Sequence, residues 1–339
     1  MGFMTSKQIG IDLGTSNTVV YLKGSGIIMR APSVVAVNKQ TKEVVAVGSE
    51  AKRMLGKTPD SIVAHRPLKG SVVADYEITA RMLQTFFNKI QAGTFFSHPV
   101  IIIGVPYGVT EVERRAVIGA TYDAGAKEAI PAQEPVVAAI GAGLRVDNPK
   151  GCIIVDIGGG TTKTAVMSLG SVVVSRSARV AGDTFDIAIM KYLKDKKGIL
   201  VGETTAEALK IQIGSVHKST DKGQLQIFGR STDSGQAFST TVKSFEIRAA
   251  LEEQMETVAA TIKATLEGTP PELASDICDF GMMLMGGGAL LAGLSIFLKE
   301  RTGLRVTLAK NPMDCVCLGI GRILEGPEDF RQKILNLDR

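Results

Sequence analysis

The chain has no tryptophan, five tyrosines, three histidines and four cysteines in 339 residues, and each scarcity closes off a class of function. Cysteines this sparse, two of them in Cys315-Val316-Cys317, do not build a disulfide framework, so a reduced, cytoplasmic setting is expected. Cys-x-Cys alone is a poor metal signal, and small apolar residues at a buried helix start explain it better. His65, His98 and His217 share no ligand-like spacing. A net charge of +5, spread along the chain rather than gathered in blocks, leaves nucleic acid without a recognition surface. No apolar run approaches the roughly 18 to 20 residues of a membrane span, and Met1 to Lys7 lacks the charged and apolar regions of a leader. Hydrophobic residues at 45% and charged residues at 22% are those of an ordinary globular protein, and the length implies two domains or lobes.

What the chain has is a repeated turn. Ile11-Asp12-Leu13-Gly14-Thr15 and Val155-Asp156-Ile157-Gly158-Gly159-Gly160-Thr161-Thr162 each run from a β-branched stretch into an Asp, then through a Gly/Thr turn into a second apolar run. Glycines let backbone N–H groups approach an anion, and a carboxylate at a strand end can hold a divalent cation. Facing each other across a cleft, two such hairpins would clamp a metal-bound polyphosphate. A third glycine cluster, Gly286-Gly287-Gly288, follows a short apolar stretch and precedes a helical pattern, where it could pass flat against a sugar or ring.

Periodicity orders the rest. Ile9 to Leu22 reads as a hairpin, Ser33 to Val37 and Val44 to Val47 as another, Ile78 to Ile90 as a helix and Val100 to Val105 as a buried strand. A helix spans Glu111 to Ala124 with Thr110 as N-cap; the next strand ends near Pro131, and Glu134-Pro135 opens a helix to Leu144. The second half repeats the order, with strands around Cys152 to Val155, Lys163 to Leu169 and Val172 to Ser177, then helices from Thr184 and Thr205. Short strands are expected within Val216 to Thr241, a long helix over Phe245 to Leu266, a strand at Met282 to Met285 and a helix over Leu290 to Glu300. Ala51 to Thr58 comes close to a P-loop but lacks its first glycine and prefers helix.

The residues so far, with Ile103 to Pro106, Glu134-Pro135 and Ala181-Gly182-Asp183, resemble the actin, Hsp70 and sugar-kinase ATPase superfamily and, within it, the MreB-like bacterial actins, over nearly the whole chain. The resemblance implies an α/β actin-like ATPase fold: two duplicated ribonuclease-H-like lobes, each with a small inserted subdomain. Its divisions fall at 1–33, 75–147 and 315–339 for the first large subdomain (IA), 34–74 for its insert (IB), 148–181 and 247–314 for the second (IIA), and 182–246 for its insert (IIB). It further implies ATP with Mg2+. Asp12 and Asp156 would hold the metal; Gly14, Thr15, Ser16, Asn17, Gly158, Gly159 and Gly160 would contact phosphate. Glu134 would orient the attacking water with Thr161 opposite and Asp156 beside it, while Gly182, Asp183, Glu207, Lys210 and Gly286 to Gly288 would take the ribose and adenine. The spacing alone admits GTP as well. Where many relatives carry two acidic residues before the proline, this chain has Gln133 and Glu134, so hydrolysis is expected to survive, slowly.

Among MreB-like proteins the loop matching Gly93 to Pro99 inserts into membrane, which makes Phe95 and Phe96 candidates for a bilayer contact. The mild positive charge favours anionic lipid. The family also implies self-assembly into filaments on the inner face of the cell membrane, partnership with paralogues or morphogenesis proteins, and a role in cell shape or motility; wall-less helical bacteria carry such proteins too. Phe330, Ile334 and Leu337 share one face of a terminal helix, which either docks on its own lobe or offers a surface anchor. The hairpins by themselves leave kinase, chaperone and filament open. About fifty residues after Gly288 are too few for a peptide-binding domain, no second carboxylate cluster offers a kinase base, and a non-hydrolysing scaffold stays as the rival reading.

Overall fold

Alternating β-branched residues carry the first sheet. In the computed structural model, which describes residues 6–91 and 98–336, strand β1 (Gln8–Leu13) pairs antiparallel with β2 (Asn17–Leu22), and β3 (Gly26–Pro32) pairs antiparallel with β2. Strand β4 (Val100–Val105) lies parallel to β1, and β5 (Glu128–Gln133) parallel to β4, giving the order β5-β4-β1-β2-β3. Ile9, Ile11, Ile101 and Ile103 on one face and Ile102 on the other are fully buried, as parallel strands covered on both faces require. Two details differ from the expectation. Strand β3 was not foreseen; Gly24 and Gly26, at φ 79° and 81°, reverse the chain within four residues of Leu22. The strand expected to stop near Pro131 continues to Gln133, with Pro131 opposite Ile103, because β5 is an edge strand where a residue without an N–H is tolerated.

Helix α1 (Glu111–Asp123) begins with the expected cap: Thr110 Oγ1 accepts from the Glu113 amide, and the Glu113 carboxylate accepts from the Thr110 amide at 2.8 Å. Helix α2 (Glu134–Ala142) starts on the residue after β5, with Pro135 in its first turn, and ends at Gly143. Lys52 lies in a short helix, Ser49–Met54, rather than in a phosphate loop.

The second sheet repeats the first. Strands β6 (Cys152–Ile157) and β7 (Thr162–Ser168) form the hairpin, β8 (Ser171–Ala178) extends it, and β9 (Met282–Met285) and β10 (Val306–Leu308) add in parallel, in the order β8-β7-β6-β9-β10. Helices α3 (Gly182–Lys197), α4 (Glu203–Ile213) and α5 (Ser244–Glu267) pack with this sheet in a core that includes Phe185, Ile189, Leu209, Leu251 and Val258. Each such side chain contributes about 1.5 to 3 kcal/mol by leaving water. Between α4 and α5, Gln224–Ser231 and Ala237–Lys243 pair antiparallel, with Ile227 and Val242 turned inward. The helix expected directly after the glycine triplet is displaced. Gly287–Leu290 forms a 3-10 turn, and helix α6 runs over Leu294–Thr302, because Gly293 in the left-handed region re-aims the chain first.

The chain closes with α7 (Cys315–Glu325) and α8 (Glu328–Asn336). Cys315 and Cys317 are buried in the first turn of α7, as their small size implied. Ile334 is 5% exposed and Arg331 reaches Gln8, so α8 docks on its own lobe; Leu337 lies outside the described residues. By internal contacts the protein forms two units. One takes the described chain up to Asn148, Leu169–Val172 and the residues from Asp314; the other takes Pro149–Ser168 and Val173–Met313.

Candidate nucleotide site

In the first unit the turn between β1 and β2 is closed by Gly14 N–H donating to the Asn17 carbonyl at 3.1 Å. A Cβ on Gly14 would stand 2.6 Å from that carbonyl oxygen, so no other residue fits there. Its outer side is tied down as well. Ser33 Oγ donates to the Gly14 carbonyl at 2.7 Å, the Ser71 amide donates to Thr15 Oγ1 at 2.9 Å, and the Ser33 amide donates to the Ser16 carbonyl. Asp12 lies opposite Val19 at the end of β1. The Cys317 thiol beside it is pushed up in pKa by burial first, and then by the Asp12 and Asp314 carboxylates, so it stays protonated. Glu134 follows Gln133, which pairs with Val105, while Ile11 pairs with Ile103. The Asp12 turn and Glu134 therefore leave the same end of the parallel strands, two strands apart, roughly 10 Å by strand spacing. That is the end at which open α/β sheets bind ligands.

The second unit builds the same closure: Gly158 N–H donates to the Thr161 carbonyl at 3.0 Å. Here the first N–H groups of a helix hold the turn from outside, with Gly182 N donating to the Gly158 carbonyl at 3.1 Å and Asp183 N to the Gly159 carbonyl at 2.8 Å. Thr161 is nearly buried, and Thr162 Oγ1 donates to the Val180 carbonyl. Gly286, in the left-handed region at φ 84°, could carry no side chain, since a Cβ would lie 2.3 Å from Asp156 Oδ1. Gly288 is pressed as closely on Ile157, whereas nothing lies within 4 Å of a Cβ built on Gly287. The triplet thus lies flat against the Asp156 end of β6. On α4, Lys210 does not point away into solvent: its ammonium donates to the Gly182 carbonyl and to Asp186, each at 2.8 Å.

The donor set can be weighed against the metal that the resemblance implies. Among the described residues no three His, Cys, Asp or Glu side chains gather to hold an ion by themselves. One carboxylate per strand end suits Mg2+, which keeps several waters and takes its remaining ligands from phosphate. The glycine turns are the backbone cradles that such a phosphate needs.

Two sheets of one strand order, each with an Asp turn closed through a glycine, define an actin-like fold. The family model described as MreB/Mbl protein matches residues 6–332, and the chain belongs to that family. It is 46% identical over 332 residues to the cell shape-determining protein Mbl of Bacillus cereus, covering 98% of this chain and 100% of that protein. Against the cell shape-determining protein MreB of Escherichia coli strain K12 the identity is 45% over 327 residues, covering 95% and 94%. The crystal structure of MreB 5 of Spiroplasma citri bound to AMPPNP matches with a TM-score of 0.92 at 35% identity, covering 99% of this chain and 100% of that one.

Three supports were not singled out in the sequence: Ser33 and Ser71, which tie the first turn, and Asp186, which holds Lys210. Ser33 and Ser71 are distant in sequence from what they bind, and no local pattern marks them. Asp186 had one available signal, an acidic residue at a position of α3 that otherwise faces the core. Phe95 and Phe96 lie outside the described residues. No described helix is long and apolar enough to cross a membrane.

Proposed function

We propose that this chain is a cytoskeletal ATPase that binds Mg2+ and ATP, hydrolyses the nucleotide slowly and assembles with its own copies into filaments on the cytoplasmic face of the cell membrane, supporting cell shape or motility. The observation that carries the nucleotide part of the reading is the doubled turn, the same Asp followed by the same glycine closure in both units; what favours a filament over a kinase or chaperone is membership of the MreB/Mbl family over residues 6–332. The AMPPNP bound by the Spiroplasma citri relative supports adenine nucleotide in particular.

In this reading Asp12 and Asp156 hold the cation through oxygen or water, and the amides of Gly14 to Asn17 and Gly158 to Gly160 bind phosphate. Bound Mg2+ would neutralise charge on the phosphates. Glu134 orients the attacking water and Thr161 assists it, since phosphoryl transfer demands in-line positioning more than covalent chemistry from the protein. Gly182, Asp183, Glu207 and Gly286 to Gly288 take the ribose and base, with Lys210 at their edge. Adding subunits head to tail, with a rotation that does not close, gives an open filament. Gln133, in place of an acidic residue, is what favours a scaffold that binds without hydrolysis, and phosphate release separates the two.

Sedimentation with ATP, ADP and AMPPNP, with and without vesicles containing anionic lipid, tests the proposal. Polymer is expected with ATP and AMPPNP but not with ADP, and vesicles are expected to recruit it. The Phe95→Ala/Phe96→Ala variant is expected to polymerise as well as the parent and to lose most vesicle binding. No polymer under any nucleotide, with turnover that depends on a small acceptor, would turn the assignment toward a kinase. Unchanged vesicle binding by the double variant would remove the two phenylalanines from the membrane contact.

A further inference from the structure

Asp186 is a carboxylate in a place where folding alone has no use for one. It sits on α3 at 3% exposure, among core residues Phe185 and Ile189 of the same helix, and its charged partner is Lys210 of α4 at 2.8 Å. Burial pushes its pKa up to about 6, against the pull of Lys210, with the Glu207 and Asp183 carboxylates adding to the rise. A carboxyl whose pKa is higher folded than unfolded favours folding in its protonated form, so above about pH 6 the ionised Asp186 costs stability that a neutral side chain of the same shape would not. Buried ion pairs are replaced by neutral residues without loss of stability in many proteins.

The same ammonium that meets Asp186 also donates to the Gly182 carbonyl at 2.8 Å. Gly182 is the first residue of α3, and its amide and that of Asp183 are bonded to the Gly158 and Gly159 carbonyls. This end packs directly on its neighbours: a Cβ on Gly182 would meet Gly158 O and Gly159 Cα at 3.4 Å and Lys210 Nζ at 3.5 Å, ordinary contact distances. A continuous set of contacts therefore runs from the Asp186 carboxylate through Lys210 to the start of α3 and on to the Gly158-Gly159 turn. If Asp186 lost its charge, the attraction that aims the ammonium at this point would go. Glu207 and Asp183, the other charges that bear on Asp186, would then compete for it.

We propose that Asp186 is a positioning residue for nucleotide binding: its charge, acting through Lys210, holds the first turn of α3 against the Gly158-Gly159 turn in the geometry that binds phosphate. The proposal rests on the reading of that turn as a phosphate site. It touches no ligand itself.

The test compares Mg2+-ATP affinity of the full chain and its Asp186→Asn variant by calorimetry at pH 8 and pH 5.5. The variant keeps the volume and loses the charge. At pH 8 it is expected to bind about tenfold more weakly, the order expected for a lost charge-assisted hydrogen bond. At pH 5.5 much of the parent's own Asp186 is protonated and the difference is expected to narrow to about threefold, because tenfold tighter binding by the ionised form also lowers its pKa in the complex; both proteins meet the same ligand, so titration of ATP drops out of the comparison. A purely structural role would leave the ratio of affinities the same at both pH values, and that result overturns the proposal, as does a folded variant within twofold of the parent at pH 8. Asp186→Ser, which leaves room for a water beside Lys210, gives the same reading should the Asn variant fold poorly. Failure of the parent chain to bind ATP at pH 8 would instead overturn the nucleotide reading on which the proposal rests.

Discussion

Replacing Glu134 with alanine is expected to lower ATP-dependent phosphate release on the order of 10²-fold, the scale of a lost general-base or water-orienting group, while Mg2+-ATP binding holds. Glu134 is the first residue of α2, leaving the sheet at the end where β1 runs into Asp12. A carboxylate there has a second reason to exist, since a negative charge at a helix start gains about 0.3 to 1 kcal/mol from the unpaired amides. The two roles separate by measurement. Loss of the helix-start effect alone moves the melting midpoint by a few degrees and leaves turnover untouched. Loss of the catalytic effect leaves the midpoint near the parent value and lowers phosphate release on the order of 10²-fold. Glu134→Gln sharpens the comparison, because it keeps size and a hydrogen-bonding oxygen but not the charge that aligns water for in-line attack. Turnover unchanged in both variants would end the assignment of Glu134, whereas a parent chain that binds Mg2+-ATP and releases no phosphate would move it toward the scaffold reading that Gln133 favours.

The candidate site was legible where its chemistry is local. A β-branched run, an Asp and a glycine three residues from the carbonyl it must reach are all neighbours in sequence, so Asp12, Gly14, Asp156 and Gly158 could be picked out, and the structure brings each Asp to a strand end beside its glycine closure. Repetition then gave the two sheets their common order. What escaped depends on packing across the chain. Pro131 looks like a strand terminator until its strand is known to be an edge. The helix start after Gly288 slipped to Leu294 because apolar periodicity cannot distinguish a 3-10 turn leading to Gly293 from the first turn of an α-helix. Asp186 and Lys210 are 24 positions apart on different helices, and only the placement of α3 against α4 makes them a pair.

The largest expected effect on stability comes from Gly319, another residue that sequence pattern passes over. Helices α2 and α7 of the first unit cross with their backbones in contact: a Cβ on Gly319 would lie 1.7 Å from the Val137 carbonyl oxygen, and one on Gly141 would lie 1.8 Å from that of Cys315. Both obstacles are helix backbone, which cannot rotate aside as a side chain can. Arg322 of α7 also donates to the Ile140 carbonyl, near the end of α2, and so pins the crossing at a second point. Nor can α7 retreat. Its Ile320 methyl stands 2.6 Å from where a Cβ on Gly10 of β1 would be, and Gly321 meets the Tyr21 ring of β2 with as little room. Gly319→Ala must therefore push the helices apart or press α7 into β1. Overpacking of this kind costs about 3 kcal/mol, which for a unit of this size lowers the melting midpoint by roughly 10 °C. Because α7 carries Cys317 beside Asp12 and α2 begins with Glu134, the strain is transmitted to both ends of the first half-site. Phosphate release is expected to fall together with the midpoint, unlike in Glu134→Ala, where the midpoint moves by a few degrees at most. Differential scanning calorimetry of Gly319→Ala decides the matter: a midpoint within about 2 °C of the parent corresponds to less than 1 kcal/mol, and would mean that α2 and α7 do not cross as tightly as their glycines require.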